Sequence, residues 1–182
     1  MKTPTRAQLA RAGRRDRIVD VAREIAESHG WPAVTVRRLA DTIGFSQPVL
    51  YGHFPDGRDG IIRAVALAGF ARLAELLIAA GDLGGICAAY LDFARSQPAT
   101  YEAMFSMPTD LEFARPVTPE PLRAGFGPLL STMGDETRAE ILWCALHGLA
   151  DLSRHGRLRP GHEAARVETL IRLLRRAAPG HL

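Results

Sequence analysis

Apolar residues recur every three or four positions along nearly the whole chain, and no convincing run alternates with period 2. That pattern commits the 182 residues to an all-α fold. Ile18, Val21, Ala22, Ile25 and Ala26 stripe a first helix from about Arg15 to His29, which Gly30 is placed to end in a left-handed cap. Thr35 suits the N-cap of a short second helix whose apolar face is Val36, Leu39, Ala40 and Ile43. Gly44 closes that helix, Phe45 plugs the turn, and Ser46 caps a third helix carrying Val49 and Leu50. Beyond the break at Pro55-Asp56-Gly57, a long helix is predicted over roughly Arg58 to Ala80.

A second helical block begins near Gly81, with helices predicted at Leu83–Gln97, Ala99–Ser106, Glu120–Thr132, Asp135–His155 and Gly161–Ala178. Met107 to Pro119, with Pro108, Pro116 and Pro119, is the natural long loop. The expected division is 1–57 and 58–182, joined rigidly through the long helix.

Net charge is only +3, but its distribution is uneven. Residues 1–63 hold 11 basic and 7 acidic groups, whereas residues 64–182 hold 12 and 13. Lys2, Arg6, Arg11, Arg14, Arg15 and Arg17 make the first residues a basic arm, which points that end toward nucleic acid. The arm has no apolar stretch behind it, so no secretory signal is expected. The longest apolar run, Ala64 to Ala71, falls short of the ~20 residues a bilayer requires, and a cytoplasmic protein is expected. Cys87 and Cys144 form no CxxC pair and read as two buried small hydrophobes. His155 and His162 have no partnering ligand cluster, so neither metal nor cofactor is expected.

Thr35 to His53 has the layout of a helix-turn-helix, in which a second short helix keeps its outer face for the major groove. That face carries Ser46, Gln47, Pro48, Tyr51, Gly52 and His53, without a carboxylate to repel phosphate. The segment TVRRLADTIGFSQPVLYGHF, preceded by RIVDVAREIAESHGW, resembles the signature of TetR-type repressors. The match rests on Gly30, Thr35, Leu39, Ala40, Gly44, Ser46, Leu50, Tyr51 and Phe54 taken together.

The resemblance implies an all-helical homodimer, with an N-terminal three-helix DNA-binding domain and a larger helical domain for ligand binding and dimerisation. By the same resemblance, Thr35 and Tyr51 match phosphate contacts, Gln47, Pro48 and Val49 match base-facing positions, and His53 matches a further backbone contact. Arg37 and Arg58 complete the expected DNA-binding set. Where the family often carries a phosphate-holding Lys, three residues after Phe54, this chain has Gly57 followed by Arg58. Either Arg58 takes over that contact or the contact is missing.

Near the C-terminus, ILWCALHGLADL resembles the WHG-type C-terminal domain through Trp143, His147 and Gly148, the last free to admit another helix. Tyr90, Phe93, Tyr101, Met104, Phe105, Phe126, Trp143 and His147 suit an apolar ligand cavity, though such residues equally build a core. The last two helices bear the faces Leu142, Ala145, Leu146, Leu149, Leu152 and Val167, Leu170, Ile171, Leu174, which the family pairs across a dimer.

The sequence holds no G-x-S-x-G elbow, phosphate loop, H-E-x-x-H or G-x-G-x-x-G, so an enzyme is not expected. Asp151, Ser153 and His155 are close in sequence but their spacing makes no relay. The expected function is a DNA-binding repressor holding a palindromic operator as a homodimer and released by a small, largely apolar inducer. The rival is a helical small-molecule-binding protein that acts as an activator or has no DNA function.

Overall fold

The computed structural model describes residues 5–109, 111 and 118–176, and every regular element among them is helical. Two compact units emerge. One draws its described residues from Met1–Gly69 and Ala99–Glu112, the other from Phe70–Pro98 and Phe113–Leu182.

In the first unit, α1 (Arg6–His29) starts far earlier than the apolar stripe alone suggests. Thr5 and Gln8 form a capping box there, each side chain bonding the other's backbone N–H, at 3.3 Å and 2.8 Å. The basic arm is therefore helical from Arg6 onward, and burial begins only at Ile18. Lys2 lies outside the described residues. Gly30 ends α1 as expected, but with φ 77 and ψ 163 rather than in the left-handed helical region. The chain leaves it into a 3-10 turn at Trp31–Ala33. Next come α2 (Val36–Ile43), α3 (Gln47–His53) and the first half of α4 (Gly57–Ala80). Ile18, Val21, Ala22, Leu39, Leu50, Phe54, Ile61 and Val65 are all buried in this unit.

These compact units differ from a cut at 57/58 in two ways: the division falls within α4, after Gly69, and most of α6 (Pro98–Phe105) clusters with the N-terminal helices. The Glu27 carboxylate accepts the amides of Ala99 and Thr100 at 3.0 and 2.9 Å and the Thr100 hydroxyl at 2.7 Å. Trp31 Nε1 donates to the Ala99 carbonyl at 2.9 Å. A carboxylate at the start of α6 meets amides that have no partner within the helix, and it faces the positive end of the helix dipole.

The second unit holds the rest of α4, then α5 (Leu83–Ser96), α7 (Glu120–Met133), α8 (Glu136–Arg154) and α9 (Glu163–Arg176). Asp82 and Asp135 cap α5 and α8 through Gly85 and Arg138 amides, at 2.7 and 2.9 Å. The Arg138 guanidinium reaches the last turns of two helices, donating to Met133 O at 3.3 Å and Leu174 O at 2.8 Å. Leu77, Ile86, Tyr90, Phe93, Leu129, Leu142 and Leu146 are fully buried. Of the expected Met107–Pro119 loop, residues 110 and 112–117 lie outside the described residues, as do 177 and 178 of the last predicted helix.

The cysteines differ from each other. Cys87 is buried, and desolvation pushes its thiol up to about 11. Cys144 is exposed, which corrects the expectation of two buried thiols. It lies two residues from each of the buried Leu142 and Leu146, and so points to the opposite side of α8. Among the described residues, none outside its own helix backbone stands within 4 Å of where a Cβ of Gly148 would be. Among the described residues no helix is long and apolar enough to cross a membrane.

Candidate nucleic-acid interface

The two short helices are set by their caps. Thr35 Oγ1 accepts the Arg38 amide at 3.1 Å and starts α2, which buries Leu39 and Ala40. Its hydroxyl proton remains available to a further acceptor. Gly44 then adopts the left-handed conformation, φ 78 and ψ 27, which a residue with a Cβ rarely tolerates. Its amide and that of Phe45 both bond Ala40 O at 3.0 Å, reversing the chain in one turn. Ser46 occupies the N-cap of α3, but its hydroxyl makes no capping bond. Pro48 sits in the first turn, where an amide would lack an intrahelical partner. Leu50, 1% exposed, anchors α3, which packs on α2.

Apart from Leu50 and its last residue, α3 is exposed. Gln47, Pro48, Val49, Tyr51 and Gly52 are exposed, as are Ser46, Thr35 and Arg37 of the expected set, while His53 is half-buried. Arg37 stands 4.0 Å from Asp41, with both side chains largely in solvent. An exposed pair of this kind adds little stability and leaves the guanidinium able to turn to another anion. Helix α3 itself carries no carboxylate.

The departure at Gly57 has a local cause. Gly57 has φ 58, and a Cβ there would stand 3.2 Å from Tyr51 Cε1, so the Tyr51 ring packs where a lysine's stem would begin. Arg58 is also accounted for. Its Nε donates to Val34 O at 3.0 Å and its Nη2 to Trp31 O at 2.9 Å, tying down the turn between α1 and α2. The structure thus places Arg58 on backbone carbonyls, apart from the exposed set on α3.

Other cations lie beside α3, on the first turns of α1. Arg11 Nη2 donates to Gly52 O at 3.0 Å, and the Arg15 guanidinium lies over the Phe54 ring, 4.7 Å from its centroid. Burial, followed by the charges of Arg11, Arg14 and Arg15, holds His53 below its ordinary value. The sequence signal for this arrangement was present in the Thr5-x-x-Gln8 box, which extends α1 back to these arginines.

The eight residues suited to a ligand cavity divide between the units. Tyr101, Met104 and Phe105 belong to the first, where the Tyr101 and Phe105 rings stand 4.7 Å apart. Tyr90 and Phe93 are core residues of the second unit, and Phe126 meets Trp143 at 5.8 Å. His147 is half-buried there, and desolvation keeps it below its ordinary value despite the opposing charge of Asp151. None of the eight lines the 720 Å³ cavity of the second unit. That cavity is formed by α5, α8 and α9, with Leu91, Leu149, Val167 and Ile171 among its apolar lining and Arg95 and Arg154 among its charged groups.

The chain matches two family models. Residues 18–65 match bacterial regulatory proteins of the tetR family. Residues 83–177, more than half the chain, match the tetracyclin repressor-like C-terminal domain. Among curated proteins, the HTH-type transcriptional repressor AcnR of Corynebacterium diphtheriae is 38% identical over 64 residues, 35% of this chain and 33% of that protein. The HTH-type transcriptional repressor Rv1474c of Mycobacterium tuberculosis is 31% identical over 110 residues, 60% of this chain and 54% of that protein. The chain thus spans about a third and about half of the lengths of these relatives. In fold, it resembles the crystal structure of regulatory protein SCO4313, with a TM-score of 0.73 at 24% identity, over 94% of this chain and 98% of the other.

Proposed function

This chain belongs to the TetR family of bacterial regulatory proteins, and from that premise we propose that it is a ligand-responsive repressor of transcription. The observation that carries the proposal is the outer face of α3. Gln47, Pro48, Val49 and Tyr51 stand in solvent on a helix pinned from behind by Leu50, with no carboxylate among them. Such a helix can enter the major groove and present an amide, a phenol and apolar atoms to base edges and backbone.

Two copies are needed to hold a palindrome, with their α3 helices ~34–36 Å apart in successive major grooves. The dimer face we assign is the stripe Ile141, Ala145, Gly148 and Leu152 on α8. Ile141 is 54% exposed and Leu152 40%, although Leu142 and Leu146 on the other side of the helix are fully buried. An apolar stripe left in water at helical spacing favours a second copy.

The inducer is assigned to the cavity among α5, α8 and α9, whose 720 Å³ is within the ~300–1,000 Å³ of small-molecule sites. Its lining suits a largely apolar molecule. Occupancy releases DNA only as far as the ligand prefers the non-binding geometry, because coupling cannot exceed that difference in affinity.

The test is binding to the DNA upstream of the protein's own gene against random DNA of equal length. At physiological salt the proposal expects a preference of about 10³-fold or more. Equal, weak binding to both would refute it.

A further inference from the structure

The first three turns of α1 bury nothing. Residues 6–17 are all exposed, yet a capping box secures the start of the helix. An extension of that kind does not build the core. It does carry Arg11, Arg14 and Arg15, whose spacing of three and four residues places them on one face. That face is fixed to the end of α3 twice, by Arg11 on the Gly52 carbonyl and by Arg15 on the Phe54 ring. Meanwhile Gly57, the position where the family often carries a lysine, has no side chain, and the half-buried Arg58 is turned toward the Trp31 and Val34 carbonyls.

We propose that Arg11, Arg14 and Arg15 of α1 grip the DNA phosphates flanking the bases that α3 reads. The inference rests on the regulator reading above and adds to it the source of the backbone grip. Chemistry and geometry both favour the assignment. A guanidinium has five N–H donors, so Arg11 keeps four after bonding Gly52, and the Arg15 edge remains open while its face lies on Phe54. Both are held before DNA arrives, which reduces the ordering cost of a phosphate contact. Among the described residues, none of the ion pairs involves Arg11, Arg14 or Arg15. Three cations in no ion pair, beside a helix without a carboxylate of its own, make a surface complementary to a phosphate run.

The test measures affinity for the protein's upstream DNA and for random DNA between about 50 and 300 mM salt. It compares wild type, Arg14→Ala, Arg14→Lys and the triple Arg11→Ala/Arg14→Ala/Arg15→Ala chain. Arg14→Ala is expected to weaken both DNAs several-fold, with the log–log salt slope shallower by ~0.9 for the lost phosphate contact. Arg14→Lys keeps the slope. The triple variant is expected to lose about 10²-fold or more and two to three units of slope, with the preference ratio retained. Arg14 has no packing role, so its variant reports on DNA even if the triple chain is less stable.

Wild-type affinity and slope in Arg14→Ala and in a folded triple variant, alongside a normal preference for upstream DNA, would overturn the cluster and leave the regulator reading standing. A wild-type protein with no preference would overturn that reading, and the cluster with it.

Discussion

Trp31→Ala is expected to destabilise the protein by about 3–5 kcal/mol, the range for removing a buried aromatic from a core. Trp31 is 4% exposed, and its side chain does two things that alanine cannot. Its ring fills the space after α1, and its Nε1 satisfies Ala99 O at 2.9 Å, whereas the backbone carbonyl that receives Arg58 Nη2 is kept in every variant. Trp31→Phe separates packing from bonding. It keeps most of the apolar bulk but strands a carbonyl, for about 1–3 kcal/mol. Urea unfolding followed by circular dichroism measures both. A chain of this size loses roughly 2–4 °C of Tm per kcal/mol, so the alanine variant should melt about 10 °C early. A loss below about 1 kcal/mol in Trp31→Ala would show that the contact with α6 is not structural.

Glu27→Ala is the second large effect. One carboxylate satisfies the amides of Ala99 and Thr100 and the Thr100 hydroxyl, and both of those residues are buried. Removing it leaves three donors without an acceptor at the start of α6, at a cost of about 2–4 kcal/mol. Glu27→Gln retains one acceptor oxygen and should fall between wild type and alanine. Thr100→Val, losing a single donor, should cost about 1 kcal/mol and should not add to Glu27→Ala, since the pair acts as one unit. Amide hydrogen exchange gives the local readout. Ala99 and Thr100 amides are expected to lose protection in Glu27→Ala while α5 amides retain theirs. Unchanged exchange at those two amides would rule the clamp out.

Much of the fold was legible because it is encoded locally. Thr35, Gly44 and Ser46 sit where a short helix must start or stop, and the predicted helices fall within a few residues of the observed ones from α2 onward. The start of α1 was harder to see, since periodicity registers a buried face and residues 6–17 have none. Only the Thr5 and Gln8 pair signals it. Contacts between distant residues were not readable at all. Trp31 and Ala99 are 68 residues apart, Glu27 and Thr100 73, and no local pattern ties them. Arg58 illustrates the same limit at the candidate interface. Its position suggested a phosphate, whereas carbonyls exposed by the turn at Trp31–Val34 hold it first. The exposed residues of α3 were readable because the helix is short and Leu50 alone fixes which side faces inward. The α5–α8–α9 cavity draws its lining from three separate helices, and its composition differs from the aromatic set that the sequence suggests.

That α3 reads bases while its flanks hold the backbone is the central claim, and binding-site selection with Gln47→Ala and Tyr51→Ala tests it directly. Gln47 stands exposed in the first turn of α3, and Tyr51 lies one turn later, beside Gly57. From a pool of randomised half-sites, Gln47→Ala is expected to select a relaxed or altered base at one position in each half-site, with a loss of about 1–3 kcal/mol for the original sequence. Tyr51→Ala should select the same sequence as wild type while binding all of them more weakly. The account is contradicted if Tyr51→Ala alters the selected sequence and Gln47→Ala leaves it intact, since α3 would then sit in the groove in a different orientation.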